Sequence, residues 1–209
     1  MAVPGRRNGL LEEEEEEEQG LFVEEEEEQG WVFDVEPPPH LRALSEAAQL
    51  GNVDALRHAL DNLSGGSIND PVEDGDTALH LACLYGYTSC VQLLLERGAS
   101  LESKDEEGTI PLHDACAGGF TEIVQLLIDA ADGPDCVRRM LDTVDTEGDT
   151  PLHHAARGEH MDVVRLLVTA GASPRKLNSF GKIPAELPDP GTEVRSFLEA
   201  AVASAAASH

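Results

Sequence analysis

Apolar residues along most of this chain fall into short clusters that repeat. In "GDTPLHHAARGEHMDVVRLLVTAGA", residues 148–172, Leu152, Ala155 and Ala156 form a small-residue stripe. A polar break, "RGEH", follows. Val163, Val164, Leu166, Leu167 and Val168 then form a broad apolar face. The helical spacing of both groups predicts a helix–turn–helix pair. Thr150 is placed to cap the first helix with its hydroxyl, Pro151 fits the first helical position, and His153 stands where a capping-box partner would stand. Gly171 ends the second helix. The same phrase recurs at 75–99, "GDTALHLACLYGYTSCVQLLLERGA", and at 108–131, "GTIPLHDACAGGFTEIVQLLIDAA". From Gly75 to Gly108 is 33 residues, from Gly108 to Gly148 is 40, and from Gly148 to Gly181 is again 33. A pair this small cannot bury its apolar face alone, so stability must come from stacking.

The heads "TALHLA" (77–82), "IPLHDA" (110–115) and "TPLHHA" (150–155), at a period near 33, resemble the ankyrin-repeat family over about residues 41–203. The resemblance implies an all-α solenoid of about five helix–turn–helix units with short hairpin loops. The units read as 41–74, 75–107, 108–147, 148–180 and a degenerate cap at 181–203, before a frayed end at 204–209. The first unit lacks the head motif; Arg42, Ser45, Glu46, Arg57 and His58 are expected to keep its outer side wet. In the last unit Ala185 stands in place of Leu, Glu186 in place of His, and Pro188 and Pro190 cut the first helix short. Ile110 replaces the capping threonine, so Ile110→Thr is expected to stabilise by about 1 kcal/mol. Glu159 falls where Gly86 and Gly119 fall, which predicts a turn shifted by one residue. The third unit carries seven extra residues. There Asp-Gly-Pro marks a turn, and "PDCVRRML" predicts a short additional helix.

Charge sets the first forty residues apart. They hold 14 acids against Arg6 and Arg7, in a chain of formal net charge −27. Glutamate runs repel one another and bury too little to fold, so a disordered acidic tail is expected. The phrase "EEEEEQG" plus three largely apolar residues occurs twice, at 14–23 and 24–33. Phe22, Trp31 and Phe33 are candidates for a linear motif, or for docking on the first unit. "EPPPH", 36–40, reads as a stiff spacer. An acidic chain is a poor ligand for phosphate backbones, which excludes direct nucleic-acid binding. No apolar run is long enough for membrane insertion. No secretory signal pattern opens the chain, so a cytoplasmic or nuclear location is expected, with Cys83, Cys90, Cys116 and Cys136 as free thiols.

His80, His113 and His153 tempt a catalytic or metal reading. They recur at one repeat position, so successive copies stand about 10 Å apart, too far to share an ion. With Thr77 and Thr150 they read as structural repeat-motif residues. No metal, cofactor or catalytic residue is expected. Within the resembling family, hairpin tips and first-helix ends form a concave recognition surface. The matching positions here are Glu73, Asp74, Asp76, Asp105, Glu106, Glu107, Asp145, Glu147 and Asp149 on the tips, and Leu84, Tyr85 and Arg157 on the helices. The last tip turns basic, with Arg175, Lys176 and Lys182. The resemblance implies a non-catalytic, monomeric adaptor whose protein partner presents a basic surface. Two rivals remain. One is an acidic chaperone or escort for a basic or membrane-targeted client, since residues 75–99 are similar to repeats of plant ankyrin chaperones. The other is a transcriptional cofactor using the acidic-aromatic segment. Ser173, in "SPRK", is a candidate phosphosite.

Overall fold

The computed structural model describes residues 39–72 and 74–207. The tail with Phe22, Trp31 and Phe33, and the hairpin residue Glu73, lie outside the described residues. The described chain is helical. Five units follow one another: α1 (Pro39–Gln49) with α2 (Val53–Asp61), α3 (Ala78–Leu84) with α4 (Thr88–Glu96), α5 (Pro111–Ala117) with α6 (Thr121–Asp129), α8 (Pro151–Arg157) with α9 (Met161–Thr169), and a 3-10 turn at Pro184–Glu186 with α10 (Glu193–Ala207). The insertion forms α7 (Pro134–Asp142), as the spacing predicts. Two boundaries differ from the sequence reading. Pro39 and His40 belong to α1 rather than to a spacer, and α10 runs to Ala207, past the expected limit of 203.

Contacts run in two rows. In the inner row α1 packs on α3, α3 on α5, α5 on α8, and α8 on the 3-10 turn; in the outer row α2, α4, α6, α9 and α10 follow in order. Small residues let the inner helices approach closely. Ala47 and Ala48, Ala82 and Cys83, Ala115 and Cys116, and Ala155 and Ala156 are all buried. The outer row is filled by Leu56, Val91 and Leu94, Val124 and Leu127, Val164 and Leu167, and Val194 and Leu198. Full burial of such an aliphatic side chain contributes about 1.5–3 kcal/mol. One contiguous core results. The last unit is also held by Arg165, which pairs with Glu193 at 3.1 Å and lies 4.7 Å over the Phe197 ring. In the first unit Arg42, Glu46, Arg57 and His58 are exposed as expected, but Ser45 is buried.

The turn between paired helices corrects a second expectation. Gly86 and Gly119 have φ of 75° and 72°, in the left-handed region. A Cβ on Gly86 would meet the Phe120 ring at 2.5 Å, and one on Gly119 would meet His160 at 2.4 Å. The chain at Glu159 is not shifted. Glu159 itself adopts φ 56°, in register with the two glycines. Thr192 precedes α10 as Phe120 precedes α6 and His160 precedes α9. The Glu159 carboxylate accepts the Asp189 backbone N–H at 2.9 Å.

Candidate interaction trough

Each unit presents a hairpin to the inner helix of its own repeat. The hairpins close by Asp105 N–H to Thr109 C=O, Asp145 N–H to Asp149 C=O and Asn178 N–H to Lys182 C=O. They join one another through Glu106 N–H to Asp74 C=O at 3.4 Å, Thr146 N–H to Glu107 C=O at 2.8 Å and Ser179 N–H to Glu147 C=O at 2.9 Å. A continuous row of hairpins therefore stands against the row of inner helices. The corner between them is a trough.

Histidines lock that corner. Nδ1 of His80, His113 and His153 accepts the backbone N–H of Thr77, Ile110 and Thr150, each at 3.1 Å. The Thr77 and Thr150 hydroxyls also bond Nδ1, at 2.9 and 2.8 Å. With Nδ1 accepting, the ring proton lies on Nε2. Nε2 donates onward to the next hairpin: to the carbonyls of Thr109 at 3.4 Å, Asp149 at 3.3 Å and Lys182 at 3.2 Å. Burial lowers the pKa of His80 and His153, and burial with His154 nearby takes His113 to about 4. Neutral rings thus bridge successive units. Glu186 does the matching job in the last unit, accepting Ile183 N–H at 2.9 Å.

The threonine hydroxyl thus bonds the histidine ring rather than the helix backbone, while the histidine takes the capping-box place expected from sequence by accepting the threonine N–H. Ile110 at that position is fully buried. Ile110→Thr would exchange buried apolar surface for one hydrogen bond, and these terms are of similar size. Its thermal unfolding midpoint should not exceed the parent's, in place of the expected gain.

The acids divide into two groups. Asp149 is not an exposed recognition residue: it is fully buried, with Oδ1 accepting from Asn178 Nδ2 at 2.7 Å and Oδ2 from the Arg157 guanidinium. Asp145 also serves the fold. Its Oδ1 accepts the Glu147 and Asp149 N–H groups at 2.9 and 2.8 Å, and Oδ2 bonds His154 Nε2 at 2.8 Å. Burial pushes the Asp145 pKa up, but these bonds more than offset it, and the net shift is downward. Asp105 accepts both the N–H and the hydroxyl of Thr109. Arg157 is drawn onto Asp149 and lies 3.9 Å from Glu147. Asp145, Asp149 and His154 have the atom types of a metal site, with ligand atoms within 4.8 Å of one another. Arg157 and Asn178 already occupy Asp149, so these residues fit an ion poorly.

Asp74, Glu106, Glu107 and Glu147 are exposed, and Asp76 is half-buried. Leu84 and Tyr85 are exposed at the end of α3, with the Tyr85 ring 6.1 Å from that of Tyr87. Leu50 precedes Gly51 just as Tyr85 precedes Gly86, and it is 67% exposed, more than Leu84 or Tyr85. Its place on the repeat ladder was readable in the sequence, but the first unit lacks the head motif that would have registered it. Ser173 is exposed, and its hydroxyl accepts from Arg175 N–H at 3.4 Å.

A sequence profile of three ankyrin repeats matches residues 44–136, and a single ankyrin-repeat profile matches residues 147–179. The chain belongs to the ankyrin-repeat family. The unmatched interval begins within α7, the inserted helix. No curated protein matches the chain. Ankyrin repeats generally mediate protein–protein interaction and are typically non-catalytic. Among the described residues no helix is long and apolar enough to cross a membrane.

Proposed function

We propose that the ankyrin array is a non-catalytic adaptor that holds a basic segment of another protein along its trough. One observation carries this reading: Asp74, Glu106 and Glu107 are exposed and form no ion pair with a described residue, and they stand on the hairpin side of a trough whose helix side ends in Leu50, Leu84 and Tyr85. Unpaired charge of one sign steers an oppositely charged partner and sets its register. The apolar residues supply the desolvated anchor on which binding energy concentrates, with tyrosine favoured in that role. The histidines do not supply chemistry on this reading, because both ring nitrogens are engaged within the scaffold. The acidic charge and free thiols favour a cytosolic or nuclear setting.

The test compares three forms of the full chain in affinity purification: the parent, Tyr85→Ala, and the triple charge reversal Asp74→Lys, Glu106→Lys, Glu107→Lys. Asp105 is spared because it holds its hairpin closed. Both altered forms should lose the captured partner while circular dichroism stays unchanged. Deletion of residues 1–36 should leave capture intact. If that deletion alone abolishes capture, and the trough variants do not, the acidic tail is the binding element and the escort reading replaces this one.

A further inference from the structure

The row of hairpins ends differently from the way it runs. Each hairpin is closed by a bond from its first residue to its fifth: Val72 to Asp76, Asp105 to Thr109, Asp145 to Asp149 and Asn178 to Lys182. The third residue of each offers its carbonyl to the hairpin that follows: Asp74 to Glu106, Glu107 to Thr146, and Glu147 to Ser179. Phe180 is the third residue of the last hairpin, and no described residue donates to its carbonyl. The side chains reverse at the same place. Phe180 stands where Asp74, Glu107 and Glu147 stand, and it is 68% exposed. Leu177, just before this hairpin, is 60% exposed. Lys182 stands where Asp76, Thr109 and Asp149 stand, and it is exposed with Arg175. Six described arginines, at 97, 138, 139, 157, 165 and 195, hold a carboxylate. Arg175 and Lys182 hold none among the described residues, in a chain with 41 acids against 14 lysines and arginines.

We propose that the hairpin at 178–182 is a second docking edge, which takes an extended acidic segment of a partner protein carrying a bulky apolar side chain. A backbone N–H of the segment meets the Phe180 carbonyl and continues the ladder of hairpins. Its carboxylates meet Arg175 and Lys182, and its apolar side chain covers Phe180 and Leu177. Extended peptides add to an open edge in this way, with main-chain bonds for affinity and side chains for choice. The edge is set before a ligand arrives. Asn178 Oδ1 accepts the Phe180 and Lys182 N–H groups, each at 3.0 Å, and Nδ2 donates to the buried Asp149 at 2.7 Å. Such rigidity lowers the cost of binding. The site does not rest on the trough reading, because it takes acid where the trough takes base. An anionic lipid surface would satisfy the same cations, but exposed Glu147 on the adjoining hairpin repels a broad negative surface. A single extended chain needs only the free side of the last hairpin.

The experiment titrates the full chain with a capped peptide of four glutamates and two phenylalanines, followed by fluorescence anisotropy. The parent should bind one peptide, more weakly as salt rises. The double reversal Arg175→Glu with Lys182→Glu should weaken binding at least about tenfold, and so should Phe180→Ala. Methylating the peptide's amide nitrogens should also weaken it, because the Phe180 carbonyl then lacks its donor. Arg57→Glu with Lys104→Glu makes the same change in net charge on exposed cations elsewhere and should bind like the parent. If the two double reversals weaken binding equally, the attraction is overall charge and the edge is overturned. Unchanged binding by Phe180→Ala overturns it too, as does no binding by the parent. Binding that appears only after deletion of residues 1–36 makes the chain's own acidic tail the occupant and overturns a partner segment. Capture of phosphatidylserine vesicles without capture of the peptide makes the hairpin a lipid contact instead.

Discussion

Asp114 carries the clearest stability prediction at the scale of a single residue. Its pKa is near 3.9 when unfolded and about 8 when folded. The folded chain therefore binds more protons between those values, and stability falls as pH rises through that window. Burial, and after it the charges of Asp76, Asp105 and Glu107, raise that pKa, and Asp114→Asn removes the dependence. The variant should match the parent near pH 3.5 and exceed it by about 1–3 kcal/mol near pH 8 in urea melts. A variant less stable than the parent at pH 8 would contradict this. The turn residues give a second contrast. A left-handed backbone costs a residue with a side chain about 1–2 kcal/mol. Gly119→Ala adds that cost to a clash with the His160 ring, and should destabilise by more than about 2 kcal/mol. Glu159→Gly relieves the backbone cost but loses the bond to Asp189, so its unfolding midpoint should stay close to the parent's. The turn expected to shift by one residue stays in register, because Glu159 itself takes up the left-handed backbone.

At the scale of an element, the inserted helix α7 is part of the core rather than loop growth. Gly133, with φ 95°, opens it and Pro134 takes its first position. Cys136, Met140 and Leu141 share its buried face, and α7 packs on α8. On the open side Arg139 grips Glu102 through two bonds, at 2.8 and 2.9 Å. The helix itself was legible from "DGPDCVRRM", since a Gly-Pro start followed by helix formers is a local signal. Its packing was not legible, because Glu102 lies 37 residues earlier. Met140 is 1% exposed, so Met140→Ala should destabilise by about 2–5 kcal/mol in chemical denaturation. A change below about 0.5 kcal/mol would return the insert to the status of a loop.

Across the whole molecule, the histidine bridges couple folding to pH. His80, His113 and His153 have folded pKa values below their ordinary range, with His113 at about 4. The unfolded chain then takes up more protons as pH falls through about 6.5. This contribution to stability is present above that pH and is lost on acidification. The melting temperature should fall between pH 7 and 5, measured at about 0.3 M salt to screen surface repulsion. Asp114 works in the opposite direction over the same range, so Asp114→Asn should steepen the fall. A flat profile in that variant would show that the rings are not neutral bridges.

Much of this molecule was determined by local sequence. The 33-residue period, the Pro and Gly positions and the helical spacing of apolar residues fix the order of helices and hairpins, because each depends on backbone preference within a few residues. Those signals also located the hairpin acids. They could not sort them. Asp149 and Asp74 look alike in the sequence, yet Asp149 is buried against Asn178 and Arg157 while Asp74 is exposed. Likewise nothing local distinguishes Asp114 from an ordinary surface acid. Its environment is made by residues of two hairpins and two helices, as far back as Asp76. Exposure, pairing and proton affinity are properties of what surrounds a side chain, and only stacking one unit on the next supplies those surroundings.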